Sequence, residues 1–543
     1  MPPEFDVLIR NGTIYDGLGH PPVVGHVALA GDTIAAVGAL RAARGRIELD
    51  ATGLAVAPGF INMLSWANEA LIHDGRSQSD IRQGVTLEVL GEGWSMGPLN
   101  AALKQEQLEQ QGDVRYDIEW TTLGEYLDFL VRRGITPNVA SFVGATTLRI
   151  HEVGHADRRP TPPELDNMRA LLRQGMEEGA LGVSSALIYA PSIYADTEEL
   201  VALAEVAAEY GGMYISHLRN EADSLLEAFD EFLAIARRAR ISAEVYHIKA
   251  SGRANWHKLD ELLARIETAR AAGLPITADM YTYHASSTGL DAVMPPWVQE
   301  GGRQAWIARL RDPGIRARVR QEMNTPATTW DNGWLSAGSP ENIILTGFKQ
   351  ERLKPLAGKT LAEVAAARGT PPEDTAFDLV VEDENNVGAA FFTMTEDNIR
   401  KEIQVPWISF CSDAQSIATE GVFLKRSPHP RTYGAFARLL GKYVREERLI
   451  SLAEAIRRLT SLPADNLKLQ RRGRLAPGYF ADVVVFDPAT IADRSTFKQP
   501  HQYAVGMRHV FVNGVQVLKD GEHTGAKPGQ VVRGPGWRPA NES

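Results

Sequence analysis

The chain contains a single cysteine, Cys411, in 543 residues. One thiol can form neither an intrachain disulfide nor a cysteine-rich zinc site. No apolar run approaches the ~20 residues needed to cross a bilayer. The start, Met1-Pro2-Pro3-Glu4-Phe5-Asp6, lacks the basic residues and apolar core of a signal peptide. A cytoplasmic location is the expectation. Positive charge is also in the minority, with 57 Lys and Arg against 68 Asp and Glu and a formal net charge of −11. That balance argues against nucleic acid or an anionic membrane as the main partner. A small anionic substrate remains open, because a local basic pocket overrides the global sign. Homo-oligomerisation is also left open.

The chain is too long for one hydrophobic core, so at least two domains are expected. Its two ends look alike. Asn11-Gly12, inside Val7-Leu8-Ile9-Arg10-Asn11-Gly12-Thr13-Ile14, and Asn513-Gly514, inside Val510 to Val517, each sit between apolar runs. Asn-Gly in that setting predicts a hairpin. Strand-like runs Val27–Ala30, Ile34–Val37 and Ala481–Phe486 lie nearby, so both ends are expected to build one small β-sandwich domain, residues 1–58 plus 467–543. Between them, short apolar strands alternate with amphipathic helices, as in Thr86–Leu90, Glu164–Glu178, Gly182–Ser185 and Glu198–Tyr210. This alternation predicts an α/β fold with a parallel sheet. Its extent, residues 59–466, fits a (β/α)8 TIM-like barrel. The stretch rich in Trp, Gly and Arg at about 295–342 interrupts the rhythm and reads as an insertion, a candidate lid.

Reactive groups of a parallel barrel sit at the C-terminal ends of its strands. Four candidates follow strand-like runs: Glu92, His217, His247 and Asp413. Two imidazoles and one carboxylate suit Zn²⁺ with a position left for water, and a further carboxylate is what that water needs as proton acceptor. Taken singly, each has an ordinary alternative: a packed histidine, or a helix cap for Asp413. His284 and His429 end no clear strand and are not expected to bind metal.

The sequence resembles the N-acyl-D-amino-acid deacylases (D-aminoacylases) of the amidohydrolase superfamily. The likeness runs through Ala57-Pro58-Gly59-Phe60-Ile61, Ser216-His217-Leu218-Arg219, His247-Ile248-Lys249-Ala250-Ser251-Gly252, Thr277-Ala278-Asp279-Met280-Tyr281 and Ser287-Thr288-Gly289-Leu290. It continues through His429-Pro430-Arg431-Thr432-Tyr433-Gly434 and Gly473-Arg474-Leu475-Ala476-Pro477-Gly478. The resemblance implies one zinc, or another divalent metal, held by His217, His247 and Glu92, with Asp413 moving the proton of the attacking water to the leaving amine. It implies a small-molecule N-acyl amino acid as substrate, its carboxylate held by Lys249, Tyr281, Ser287 and Arg431. Tyr189 is the candidate to stabilise the oxyanion. An ordinary ion pair is the alternative for Lys249, and a wall position for Tyr281.

The chain departs from the superfamily where a His-x-His pair is usual: Leu64 and Trp66 occupy those positions, and Ala145 stands where relatives often have His. Leu and indole cannot bind Zn²⁺, so one metal per chain is expected. The changes read as apolar volume remodelling a substrate pocket. Two other readings stay open. One is hydrolysis of a different C–N bond, in a dipeptide, a cyclic amide or a non-amino-acid amide. The other is a non-catalytic ligand-binding barrel.

Overall fold

A computed structural model describes residues 4–539. The expected outermost ends of the small domain, residues 1–3 and 540–543, lie outside the described residues. The middle of the chain is α/β. Strands Phe60–Asn62, Val85–Leu90 and Asn138–Ser141 form one parallel sheet, in that order. A second parallel sheet runs Val143–Gly144, Gly182–Ala186, Met213–His217, Ser242–Val245, Ile276–Met280 and Ile408–Phe410. Only Phe142 separates the last strand of the first sheet from the first strand of the second. At the other margin, Asp413 N donates to Leu64 O at 2.9 Å and Trp66 N to Ala414 O at 2.9 Å. These bonds join the segments following the first and last parallel strands.

The intervening helices start where the chain supplies local acceptors for their free N–H groups. Thr122 and Glu125 form a reciprocal capping box on helix Leu123–Arg133, and the Asp196 side chain accepts from Glu199 N ahead of helix Thr197–Glu209. The apolar faces of these helices, including Leu127, Leu130, Leu203 and Val206, pack on the strands as one continuous core.

Both chain ends contribute to a nine-stranded sheet with its own apolar cluster around Val7, Ile9, Val27, Leu29, Val483 and Phe511. Asn513-Gly514 forms the expected hairpin between Met507–Val512 and Val515–Lys519, with φ of 47° and 78°. Asn11-Gly12 does not. It lies inside one long strand, Phe5–Ile14, as an irregularity at which Asn11 takes a φ of 59°. The reason is a change of neighbour: residues 5–10 pair with Gly45–Asp50, whereas Thr13 and Ile14 pair with Ala55 and Val56. A Cβ on Gly12 would lie 2.4 Å from Val56 Cγ2, so the crossing point requires glycine.

The stretch 295–342, expected as an insertion, lies within a larger segment that has its own sheet and core. Strands Ser286–Gly289, Ile343–Gly347 and Gly388–Phe391 make an antiparallel sheet, and a separate core spans Leu290 to Phe391. Its later part reads as ordinary βα rhythm in sequence, which is why only the Trp-rich stretch stands out. The C-terminal run leaves the nine-stranded sheet and crosses the N-terminal ends of the parallel strands. Gly529 N donates to Ile135 O at 2.8 Å, Val532 N to Val139 O at 2.8 Å and Gly534 N to Gly179 O at 2.8 Å. No helix among the described residues is long and apolar enough to cross a membrane.

Candidate metal centre and active site

Glu92, His217, His247 and Asp413 come together at the C-terminal ends of the parallel strands, opposite the crossing tail. His217 ends the strand Met213–His217 in ordinary extended backbone, whereas the other three are positioned by backbone that few residues adopt. Glu92 lies between Gly91 and Gly93, both with positive φ, where a Cβ would come within 2.5 Å of Phe142 O and 2.7 Å of Ala186 Cβ respectively. His247 and Asp413 are themselves left-handed, with φ of 34° and 47°. Such a conformation in a non-glycine residue costs on the order of 1 kcal/mol or more and persists only when its surroundings hold it. For His247 the holder is buried Asp279, whose Oδ1 accepts from His247 N at 2.7 Å.

The buried carboxylate of Glu92 faces both imidazoles. Its Oε1 is 2.9 Å from His247 Nε2 and 3.3 Å from His217 Nδ1, and one donor atom from each of the three residues lies within 4.8 Å of the others. This is a donor set for a divalent cation. The electrostatics point the same way. Burial and Lys249 both push the His247 ring down, yet Glu92 and Glu221 outweigh them and raise it to about 10. A site that draws a proton so strongly onto an imidazole is one in which a metal ion would replace that proton.

Asp413 stands beside this set. Burial raises its carboxyl, although the Arg431 and His247 charges pull it down. Asp413 Oδ2 is 2.7 Å from Arg431 Nη1, an ion pair outside hydrogen-bond angle, so that nitrogen and Nε remain without acceptors. Arg431 also donates to Ser287 O at 3.2 Å and lies over the Tyr281 ring, 4.5 Å from its centroid. Lys249, Tyr281, Ser287 and Arg431 therefore line one cavity of about 600 Å³ with the four residues above, and Tyr189 joins them, its hydroxyl accepting from Thr288 Oγ1 at 2.8 Å. His429 instead orders the loop, its Nδ1 accepting from Arg431 N at 2.9 Å, and His284 faces Glu396 at 3.5 Å.

Two features go beyond the sequence reading. Glu221, four residues after His217, lies 3.4 Å from His217 Nε2 and 3.3 Å from His247 Nδ1, on the sides of the rings turned away from Glu92. It also pairs with Lys249 at 2.8 Å, so Lys249 is not the unencumbered cation its place in the motif suggests. The only available signal was the i,i+4 spacing from a candidate ligand. Trp66 is also more than apolar volume: its indole N–H donates to Glu92 Oε2 at 3.1 Å and to Asp413 Oδ1 at 3.2 Å. Leu64, by contrast, is buried as expected of an apolar filler.

A donor set of this kind, at the ends of parallel strands and next to a carboxylate of raised pKa, defines the class as amidohydrolase. The family model described as "Amidohydrolase family" matches residues 422–518. A D-aminoacylase from Alcaligenes xylosoxydans xylosoxydans is 32% identical over 97% of this chain and 97% of its own. An N-acyl-D-glutamate deacylase structure from Bordetella bronchiseptica, complexed with zinc and a phosphonate mimic of the tetrahedral intermediate, is 32% identical over 97% of this chain and 99% of its own, with TM-score 0.79. A D-aminoacylase structure described as having a binuclear metal centre, with one-metal activation and second-metal attenuation, is 31% identical over 97% of this chain and 100% of its own, with TM-score 0.81. The chain belongs to the D-aminoacylase family of N-acyl-D-amino-acid deacylases and has the α/β amidohydrolase fold.

Proposed function

We propose that the protein is a zinc-dependent hydrolase of N-acyl-D-amino acids. The observation that carries this reading is the buried Glu92, His217 and His247 donor set beside Asp413, in a chain alike over nearly its whole length to D-amino-acid deacylases. Glu92, His217 and His247 are the protein ligands. When bound, the metal supplies a water of lowered pKa and polarises the scissile carbonyl. Asp413 takes the proton of the attacking water and returns it to the departing nitrogen, a task that suits a carboxyl raised by burial. Arg431, with two donors lacking acceptors, grips the substrate carboxylate from above Tyr281, and Lys249 contributes charge through its pair with Glu221. Ser287 and Tyr189 line the path of the substrate, and the Tyr189 hydroxyl is placed to donate to the oxyanion. Glu92, Glu221 and Asp413 against Lys249 and Arg431 leave one negative charge; a divalent ion reverses it and matches one substrate carboxylate.

The same reading counts Asn138–Ser141 and Val143–Gly144 as one broken strand and takes the resulting eight parallel strands as a closed (β/α)8 barrel over about 59–466. The bonds from Asp413 to Leu64 and from Trp66 to Ala414 support that closure. The nine-stranded sheet is then the small β-domain. The metal centre is mononuclear, since the Trp66 indole occupies the space between Glu92 and Asp413 and offers a donor where a second cation would need an acceptor.

Elemental analysis and a panel of N-acetyl-D- and N-acetyl-L-amino acids test this. One tight metal per chain is expected, lost in His217→Ala or His247→Ala. Asp413→Asn keeps the metal while turnover falls about 100-fold or more. Two tight metals, or full activity in the Asn variant, would overturn the assignment.

A further inference from the structure

From Trp66 the cavity wall continues through Glu69, three residues on, to Arg426 and Lys349. This wall is positive in a chain that is negative overall. Lys354 and Lys425 are neutralised by Asp113 and Glu351, with Nζ–O distances of 2.5 to 3.1 Å. Arg426 and Lys349 are not. Among the described residues neither takes part in an ion pair, and the Lys349 ammonium donates to a main-chain carbonyl, Glu109 O, at 2.8 Å. The carboxyl that faces Arg426 is Glu69, which accepts from Tyr116 Oη at 3.2 Å. Burial shifts Glu69 upward, towards its neutral form, while Arg426 works against the shift.

The backbone is shaped around this guanidinium. A Cβ on Gly112 would lie 2.9 Å from Arg426 Nη2, and one on Gly347 would lie 3.5 Å from Arg426 Cδ. The two glycines thus leave a slot that any side chain would narrow. A cation held in a concave, partly dehydrated slot without a counter-ion is unfavourable unless an anion arrives to pair with it. Arg431, on the same loop five residues later, is already committed to Asp413 and to the first substrate carboxylate.

We propose that Arg426, assisted by Lys349, is a second anion subsite of the active-site cavity, and that preferred substrates carry a second carboxylate besides that of the amino acid. The inference rests on the deacylase reading and deepens it. The second carboxylate comes either from the amino-acid side chain or from the far end of a dicarboxylic acyl group, and the guanidinium recognises both by the same two-point pairing.

The test compares each diacid with its own neutral amide. N-acetyl-D-glutamate is set against N-acetyl-D-glutamine, and N-succinyl-D-alanine against its terminal amide. In one arm the wild-type kcat/KM favours the diacid by about tenfold or more. Arg426→Gln removes most of that preference and Arg426→Lys retains part of it. The arm that shows the preference identifies the source of the carboxylate. Equal kcat/KM for acid and amide in both arms, or a preference that survives in Arg426→Gln, overturns the subsite and leaves the deacylase reading standing. Calorimetry on metal-loaded Asp413→Asn, with and without Arg426→Gln, separates the two ideas from the other side. Tighter binding of a diacid that is lost with Arg426 supports the subsite even if the wild type cleaves none of the four compounds. Equal binding of acid and amide overturns it.

Discussion

Glu221 lies close behind both imidazoles, and that position bears on which nitrogen of each ring would be free to bind a metal in the proposed site. Its negative charge, 3.4 Å from His217 Nε2 and 3.3 Å from His247 Nδ1, favours a proton on those nitrogens over His217 Nδ1 and His247 Nε2, the pair that faces Glu92. The Lys249 ammonium, 2.6 Å from His247 Nδ1, competes with that proton. Carboxylates that orient ligating histidines in this way typically contribute about 10- to 100-fold in metal affinity. Glu221→Gln is therefore expected to weaken metal binding by a factor of that order, read by competition with a chelator of known affinity. Unchanged affinity would mean that Glu221 serves Lys249 alone. Sequence inspection finds the candidate ligands more easily than the groups around them. Glu92, His217, His247 and Asp413 each follow a strand-like run, which puts them at one end of a parallel sheet. Glu221 follows no strand, and only its spacing of four residues from His217 sets it apart from a solvated surface charge. Trp66 shows a different limit. Its identity excludes a metal ligand, but which edge of the indole meets the site depends on tertiary packing.

At the scale of the element, the parallel strands carry acids in their interior. Glu244 on Ser242–Val245 and Asp279 on Ile276–Met280 are both fully buried. Burial first, and the charge of Asp279 second, raise Glu244 from 4.5 to about 8. An acid whose folded pKa exceeds its unfolded one binds more protons folded than unfolded. Its contribution is present below about 4.5 and is lost as pH rises through about 8. Glu244→Gln, which keeps acceptors for Thr277 and Asn466, is expected to flatten the fall in stability between those limits. Denaturant midpoints measured across that range check it, and parallel wild-type and variant curves would refute it. The strands themselves are legible as short apolar runs. Val85–Leu90 and Gly182–Ala186 each lie within a residue of their expected bounds. Asn11-Gly12 is misread because a hairpin turn and a bulge at a change of neighbour both accept a left-handed Asn followed by glycine, although here only Asn11 is left-handed. Only the partner strands distinguish them.

For the whole molecule, the C-terminal run ties together parts made hundreds of residues apart. Gly529 and Gly534 approach Pro137 O and Ala180 O so closely that a Cβ would lie 2.0 and 2.2 Å away. Removing residues 529–539 strips the hydrogen bonds to Ile135, Val139 and Gly179. The melting temperature is expected to fall by on the order of 5 °C, with metal content per folded chain unchanged, since the lost contacts lie at the opposite ends of the strands from the site. An unchanged melting temperature would show the tail to be dispensable. Sequence periodicity is silent about this run, because a segment held by main-chain bonds at glycines has no apolar pattern.

The nine-stranded sheet has a further consequence, for the order in which a ribosome releases its parts. Strand Phe5–Ile14 is made before the rest of its sheet, yet Ala55–Pro58 beside it pairs on its far side with Val483–Phe486, more than four hundred residues later. Until then the early strands present an open edge, and the parallel strands lack the run that crosses their N-terminal ends. An unpaired edge kept waiting through most of translation is a template for the wrong partner. The nascent chain should therefore depend most on chaperones late in synthesis, and recover its metal-binding fold only after its last strands have left the exit tunnel.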